Sequence, residues 1–129
     1  MTNKHIVHVG LQVVDKDVVS FYEDVLQGTV IRSFVLPEEL CGEIFNIHQQ
    51  TTIVCMMCDG FELELFVSDC SENQSFNHLC VESFSAEDIY NAAVQSGYVT
   101  YKRSSKNGGY TYFIKDSCAN IFEIKLLSL

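Results

Sequence analysis

The sequence predicts an α+β fold in which one βαβββ module is written twice, and three observations predict it. Apolar and polar residues alternate at period two over "HIVHVGLQV" (5–13) and again over "FNHLCVES" (76–83). Each run is followed by a helical stretch that stops at a glycine, "DKDVVSFYEDVLQG" at Gly28 and "SAEDIYNAAVQSG" at Gly97. Each half then continues as three more strands. The 129 residues are therefore expected to form one domain of two modules, 1–70 and 71–129, curled around a cleft.

In the first module, Val7, Val9, Leu11 and Val13 share one face of the opening strand, and His8, Gly10 and Gln12 share the other. Asp15 is the expected N-cap of a helix whose apolar stripe is Val18, Tyr22, Val25 and Leu26. "TVIRSFVL" (29–36) reads as a strand. "PEELCGEIFNIHQQ" (37–50) reads as a Pro-started excursion with a short helix presenting Leu40 and Ile44 together, placed to close the mouth of a cleft. "TTIVCMMC" and "FELELF" flank Asp59-Gly60, a two-residue hairpin signal. In the second module, Ser85 and Asp88 form a capping box. "YVTYKR", "YTYFIK" and "IFEIKLL" are strands separated by the turns "NGG" and "DSCAN".

Each helix must bury its apolar stripe on a sheet face. Val7 to Val13 supply that face in the first strand, and Phe122, Ile124 and Leu126 supply it in the last. His8, Glu64, His78 and Glu123 then lie on the opposite, helix-free face. A histidine in the first strand and a glutamate in the last strand recur at matching places in both halves. Two imidazoles and two carboxylates facing one cavity make a donor set for a six-coordinate divalent ion (Zn, Ni, Co, Mn or Fe), with two positions left for water or substrate. His5 and His48 have no counterpart and are not assigned to the site. Glu62 shares the face of Glu64, but one pleat separates them by about 6.5–7 Å along the strand, so one ion is expected to take only Glu64.

Composition narrows the classes. Eight basic against seventeen acidic residues give a net charge of −9, which argues against nucleic-acid binding. No run is long enough to cross a bilayer, and "MTNKHIVHVG" lacks a signal-peptide core, so a cytoplasmic protein is expected. In that setting the six cysteines are expected to be reduced, with Cys55 and Cys58 of "CMMC" packing in a strand rather than binding zinc.

Four stretches, "HVGLQVVDKDVVSFYEDVLQG", "GFELELF", "NHLCVES" and "YFIKDSCANIFEI", together resemble the vicinal oxygen chelate superfamily of glyoxalases, dioxygenases and antibiotic-resistance proteins. The resemblance covers nearly the whole chain and implies a glyoxalase-like fold. It also implies that His8, Glu64, His78 and Glu123 stand at the four metal-ligand positions of a glyoxalase I-type site. The family's closing-turn proline and glycine are Ser117 and Ala119 here. The positions that hold glutathione in glyoxalase I are Gln12 and Ser68 instead of arginine and asparagine. Fosfomycin-resistance enzymes typically lack the ligand at Glu64, which weighs against that branch.

The function implied is a metal-dependent lyase or isomerase, lactoylglutathione lyase-like but with doubtful glutathione dependence. Such an enzyme holds two adjacent oxygens of a small-molecule substrate on the ion and moves a proton next to a carbonyl, with Glu123 or Glu64 as the base. The alternatives are a metal-poor binding or resistance protein and a non-heme iron dioxygenase, the latter disfavoured by the fourth ligand. Members of the family often pair so that one site draws ligands from two subunits, and the exposed sheet edges here make a homodimer the expectation.

Overall fold

A computed structural model describes residues 3–70, 75–106 and 108–128 and shows two four-stranded mixed sheets. The first contains β1 (Val9–Val13), β2 (Thr29–Leu36), β3 (Thr51–Met57) and β4 (Glu62–Val67) in the order β1-β4-β3-β2. The second contains β5 (His78–Ser83), β6 (Val99–Ser104), β7 (Tyr110–Lys115) and β8 (Ile121–Leu126) in the order β5-β8-β7-β6. In both, the first strand pairs parallel to the last, and the other neighbours run antiparallel. The repeat extends to register. Gly10 lies opposite Glu64 and Cys80 opposite Glu123, each two residues past its module's histidine. The expected module boundary after residue 70 adjoins residues 71–74, and the "NGG" turn includes Asn107; both fall partly outside the described residues.

Helix α1 begins as a single α-turn, Asp15–Asp17, and runs on as a π-helix, Val18–Glu23. The wider π turn turns Phe21 as well as Tyr22 into the core, and Val25 and Leu26 follow, all buried. Two expectations at its ends are corrected. The N-cap residue is Val14, without a side-chain cap, and the expected cap Asp15 is the first helical residue; Asp17, two residues on, is buried and accepts hydrogen bonds from Tyr98 Oη (2.8 Å) and the Ser117 amide (2.7 Å). The left-handed residue is Gln27 (φ 63°), not Gly28. Gly28 is needed for close approach, since a Cβ there would fall 2.5 Å from Met56 Sδ.

Helix α2 (Glu38–Phe45) ends at Asn46 in the left-handed region. It corrects the idea that the second sheet faces are helix-free. Cys41 packs with Leu36, Ile53 and Cys55 on the outer face of the first sheet, with Phe66 against them. Leu40 and Ile44 point the other way and are exposed. Helix α3 (Ala86–Gln95) starts at Ser85 without the expected capping box; the Ser85 amide donates to Ser83 Oγ at 3.0 Å. It stops before Gly97 at φ 81°, as its sequence predicts. Asp59 and Gly60 both have positive φ, as a two-residue hairpin requires.

The sheets share one core on the faces that carry α1 and α3. Phe21 and Tyr22 meet Phe122 with ring centroids 5.9 and 6.1 Å apart, and Leu63, Leu65, Ile89, Ile114 and Ile124 are buried with them. Val7 and Leu126, at the ends of the predicted apolar stripes, lie beyond that core and are exposed. Polar ties cross between modules. Tyr22 Oη donates to Asp116 Oδ2 at 2.6 Å, and Asn120 Nδ2 donates to the Gln12 carbonyl at 2.8 Å. Cys70 and Cys118 form a disulfide with Cα atoms 5.8 Å apart, so the expectation of six reduced thiols is wrong. The end of the β4 segment and the β7–β8 turn meet only in the fold, 48 residues apart in sequence. Cys41, Cys55 and Cys58 are free and buried, and Cys80 is free and exposed.

Candidate metal centre

The site is built on the sheet faces away from the shared core. His8 precedes β1 by one residue, and its Nε2 lies 3.1 Å from Glu64 Oε1. In the second sheet, His78 Nε2 lies 3.2 Å from Glu123 Oε1. Both histidines are nearly half exposed, whereas Glu64 and Glu123 are 16% and 19% exposed in their side chains. His78 Nδ1 is 2.9 Å from the Phe76 carbonyl oxygen, which can only accept, so Nδ1 carries the hydrogen. With Nδ1 protonated in the neutral ring, the Nε2 lone pair faces a carboxylate oxygen. A proton or a metal ion between Nε2 and the carboxylate oxygen would join such a pair. Two donors at right angles and about 2.1 Å from one ion stand about 3.0 Å apart, close to both observed spacings. The residues fit a divalent ion.

The predicted set of four is therefore present as two pairs, one on each sheet. Among the described residues, the group of three or more donors whose ligand atoms all lie within 4.8 Å of one another is His8, Glu62 and Glu64. His78 and Glu123 do not join it within this chain. A groove of about 710 Å³ runs between β1 and β5, with His8 and Glu62 on one side and Cys80 and Glu82 on the other.

Glu62 is the residue that backbone spacing misjudged. Its Cα is a pleat away from that of Glu64, but the side chains converge. Arg32 Nη2 approaches Glu62 Oε2 at 3.4 Å. Arg32 reaches this face from β2, past a register shift between Val30 and Arg32 that no sequence signal marks. In the second module, Lys125 Nζ stands 3.7 Å from Glu123 Oε2. Each half-site thus sets a cation beside an acidic group.

Each of these two glutamates, Glu64 and Glu123, also has a cysteine as a ladder partner, Cys55 for Glu64 and Cys80 for Glu123. Burial pushes the Cys55 thiol up, Arg32 opposes this, and Glu64 and Glu62 add to it. Cys55 stays a thiol, 3.9 Å from Glu64 Oε2, and donates to it. Burial, with Glu123 next, raises Cys80 as well, against Lys125. His48, left out of the site, packs over Gly42 of α2; a Cβ at Gly42 would fall 2.6 Å from His48 Nδ1.

No protein-family model matches the chain, and no curated protein matches it in sequence. Solved structures match its fold over nearly its whole length. The fosfomycin resistance protein FosX from Listeria monocytogenes, in a hexagonal crystal form, superposes with a TM-score of 0.74 at 15% identity, covering 99% of this chain and 97% of that one. A point mutant of the same protein, complexed with Mn(II) and 1S,2S-dihydroxypropylphosphonic acid, gives 0.72 at 16% identity, covering 100% and 94%. A glyoxalase family protein from Enterococcus faecalis gives 0.71 at 22% identity, covering 96% and 98%. The architecture is the glyoxalase, or vicinal oxygen chelate, fold, and the resemblance carried by the sequence motifs holds at the level of fold.

Proposed function

We propose that the protein is a divalent-metal-dependent enzyme of the glyoxalase type, a lyase or isomerase acting on a small molecule with two adjacent oxygens. The observation that carries the reading is the duplicated pair, His8 Nε2 to Glu64 Oε1 at 3.1 Å and His78 Nε2 to Glu123 Oε1 at 3.2 Å. The fold shared with a FosX that was crystallised with Mn(II) and a vicinal diol supports the metal dependence in this reading.

His8, His78, Glu64 and Glu123 are the residues that would hold the ion. When bound, a divalent ion supplies Lewis acidity toward two neighbouring oxygens. The chain's own groups do the rest. The imidazoles bind in the neutral form, and the Phe76 carbonyl fixes the ring of His78 for that role. Glu123 or Glu64 takes the proton next to the carbonyl on a carboxylate oxygen and returns it to the neighbouring carbon. The Cys55 thiol steadies Glu64 through Oε2, leaving Oε1 toward His8.

The same reading includes a homodimer with shared sites. A single chain offers two donor pairs rather than four converging donors, and a second copy supplies the missing pair to each. The edge strands β2 and β6 are largely exposed, with Phe34, Val35, Val99 and Tyr101 in contact with solvent.

The test is metal content by mass spectrometry on protein purified in excess Zn(II), Ni(II) or Mn(II), followed by solvent-deuterium incorporation next to the carbonyl of an α-hydroxyketone. One ion per four donors with exchange that depends on it is expected. Metal-free protein under all three conditions sinks the reading in favour of a binding protein. Oxygen consumption with catechol would move it to the dioxygenase class.

A further inference from the structure

A second cavity, of about 500 Å³, opens on the first sheet beside the His8–Glu64 pair. Gly10, directly opposite Glu64 in the ladder, and Phe66, two residues past Glu64, form its floor. Cys41, Phe45 and Ile47, from α2 and the segment after it, form a wall. Phe45 meets Phe66 edge-on, with centroids 5.2 Å apart and planes at 72°. Gly10 sets the depth: a Cβ there would stand 3.1 Å from Phe66 Cε1, so the missing side chain lets the ring lie against β1. His48 over Gly42 holds the segment after α2 back against the helix.

The polar groups at this cavity are uncharged or negative. Gln12 Nε2 donates to Ser68 Oγ at 2.8 Å and to the Asp69 carbonyl at 3.0 Å. Asp69 itself lies on the rim. Among the described residues, no lysine, arginine or histidine lines the cavity. Arg32 is taken up by Glu62, and Lys125 lies on the other sheet beside Glu123. An anionic group entering here would lose water and gain no cation.

We propose that this cavity binds an uncharged aromatic group carried next to the two chelating oxygens of the substrate, with Gly10, Phe45 and Phe66 as the residues that select it. The proposal rests on the metal-chelation reading above. Both rings line the cavity and give a flat ring aromatic surface to pack against. The ring's distance from the ion is set by Gly10, because that residue adjoins both Phe66 and the ligand strand.

The experiment uses Zn(II)-loaded protein titrated in a calorimeter with acetohydroxamate, benzohydroxamate and 4-carboxybenzohydroxamate, which present the same two oxygens on different groups. Benzohydroxamate is expected to bind at least about tenfold more tightly than acetohydroxamate, the order of magnitude for burying one ring face. The carboxylated analogue is expected to lose that gain. Gly10→Ala and Phe45→Ala should each reduce the aryl-over-methyl preference to below about threefold; Phe45 is 45% exposed, so its replacement leaves the shared core untouched. Equal affinity for the aryl and methyl compounds overturns the pocket and leaves the metal reading intact, and so does full affinity for the carboxylated ring. Binding of neither hydroxamate overturns the metal reading, and the pocket with it.

Discussion

Gln12 and Ser68 are hydrogen-bonded to each other, Nε2 to Oγ at 2.8 Å, across the ends of β1 and β4. By resemblance these are the positions from which glyoxalase I holds glutathione. Here each satisfies the other, and Gln12 also binds the Asp69 carbonyl. Isomerisation of the glutathione–methylglyoxal hemithioacetal should therefore be weak, with no saturation at millimolar substrate. Ordinary saturation at micromolar substrate in the standard absorbance assay would restore glutathione as the cosubstrate.

If two copies share their ions, His8→Ala and His78→Ala should each abolish tight metal binding. Mixing the two variants after mild dissociation should restore about a quarter of the sites when subunits redistribute at random. Metal content of the remixed dimer reads this out. No recovery places all four donors within one chain.

Glu64 and Glu62 differ in what already holds them. Glu64 faces His8 and is steadied by Cys55, whereas Glu62 is paired with Arg32. Glu64→Gln should weaken metal binding by about a hundredfold or more, as loss of a donor does. Glu62→Gln should weaken it by about tenfold or less, the size of an outer contact, partly by leaving Arg32 unpaired beside the ion. Competition titration with a chromophoric chelator separates the two. Equal losses would make Glu62 a ligand in its own right.

Much of this was legible in the sequence. Period-two alternation located the strands, Asp59-Gly60 located a hairpin, and the repeated histidine and glutamate turned out to face each other in both modules. What escaped was non-local. Arg32 reaches the cleft through a strand irregularity, and Glu62 through side-chain reach rather than backbone spacing. Helix α2 covers part of a face expected to be bare, because one cysteine, Cys41, outweighs the Leu40 and Ile44 stripe in what is buried. A π-helix leaves no periodic signature over two turns. Ala119 stands at φ 62°, where glycine is the usual choice, held by a turn in which Asp116 Oδ1 accepts from the amides of Cys118 and Asn120.

The disulfide adds a check on the link between modules. Unfolding without reductant should expose four reactive thiols, those of Cys41, Cys55, Cys58 and Cys80, and reductant should raise the number to the full six. Closing a loop of this length stabilises by up to about 4 kcal/mol in the chain-entropy picture, so reduction should lower the melting temperature by several degrees or more. Six reactive thiols without reductant would show that the bridge does not form.

The last prediction concerns alkaline stability. Burial is the largest cause holding the Tyr22 phenol well above its usual pKa, and the charge and hydrogen bond of Asp116 add to it. Tyr98 is pushed up to about 12, again first by burial, with Ser20 opposing and Asp17 adding. Both phenols belong to the contacts that join the modules, Tyr22 with Asp116 and Tyr98 with Asp17. A phenol whose folded pKa exceeds its unfolded value of about 10 contributes stability that is complete below that pH. The contribution is lost as pH rises above it, because the unfolded chain releases the proton first. Urea-unfolding free energy should thus be flat in this respect below pH 9 and fall between pH 10 and 12. Tyr22→Phe should cost about 1–2 kcal/mol at pH 7, since Asp116 loses a buried donor. It should also make the alkaline fall shallower, and adding Tyr98→Phe should flatten it further. A variant whose stability falls as steeply as the parent's above pH 10 would mean that these two phenols do not govern the alkaline limit.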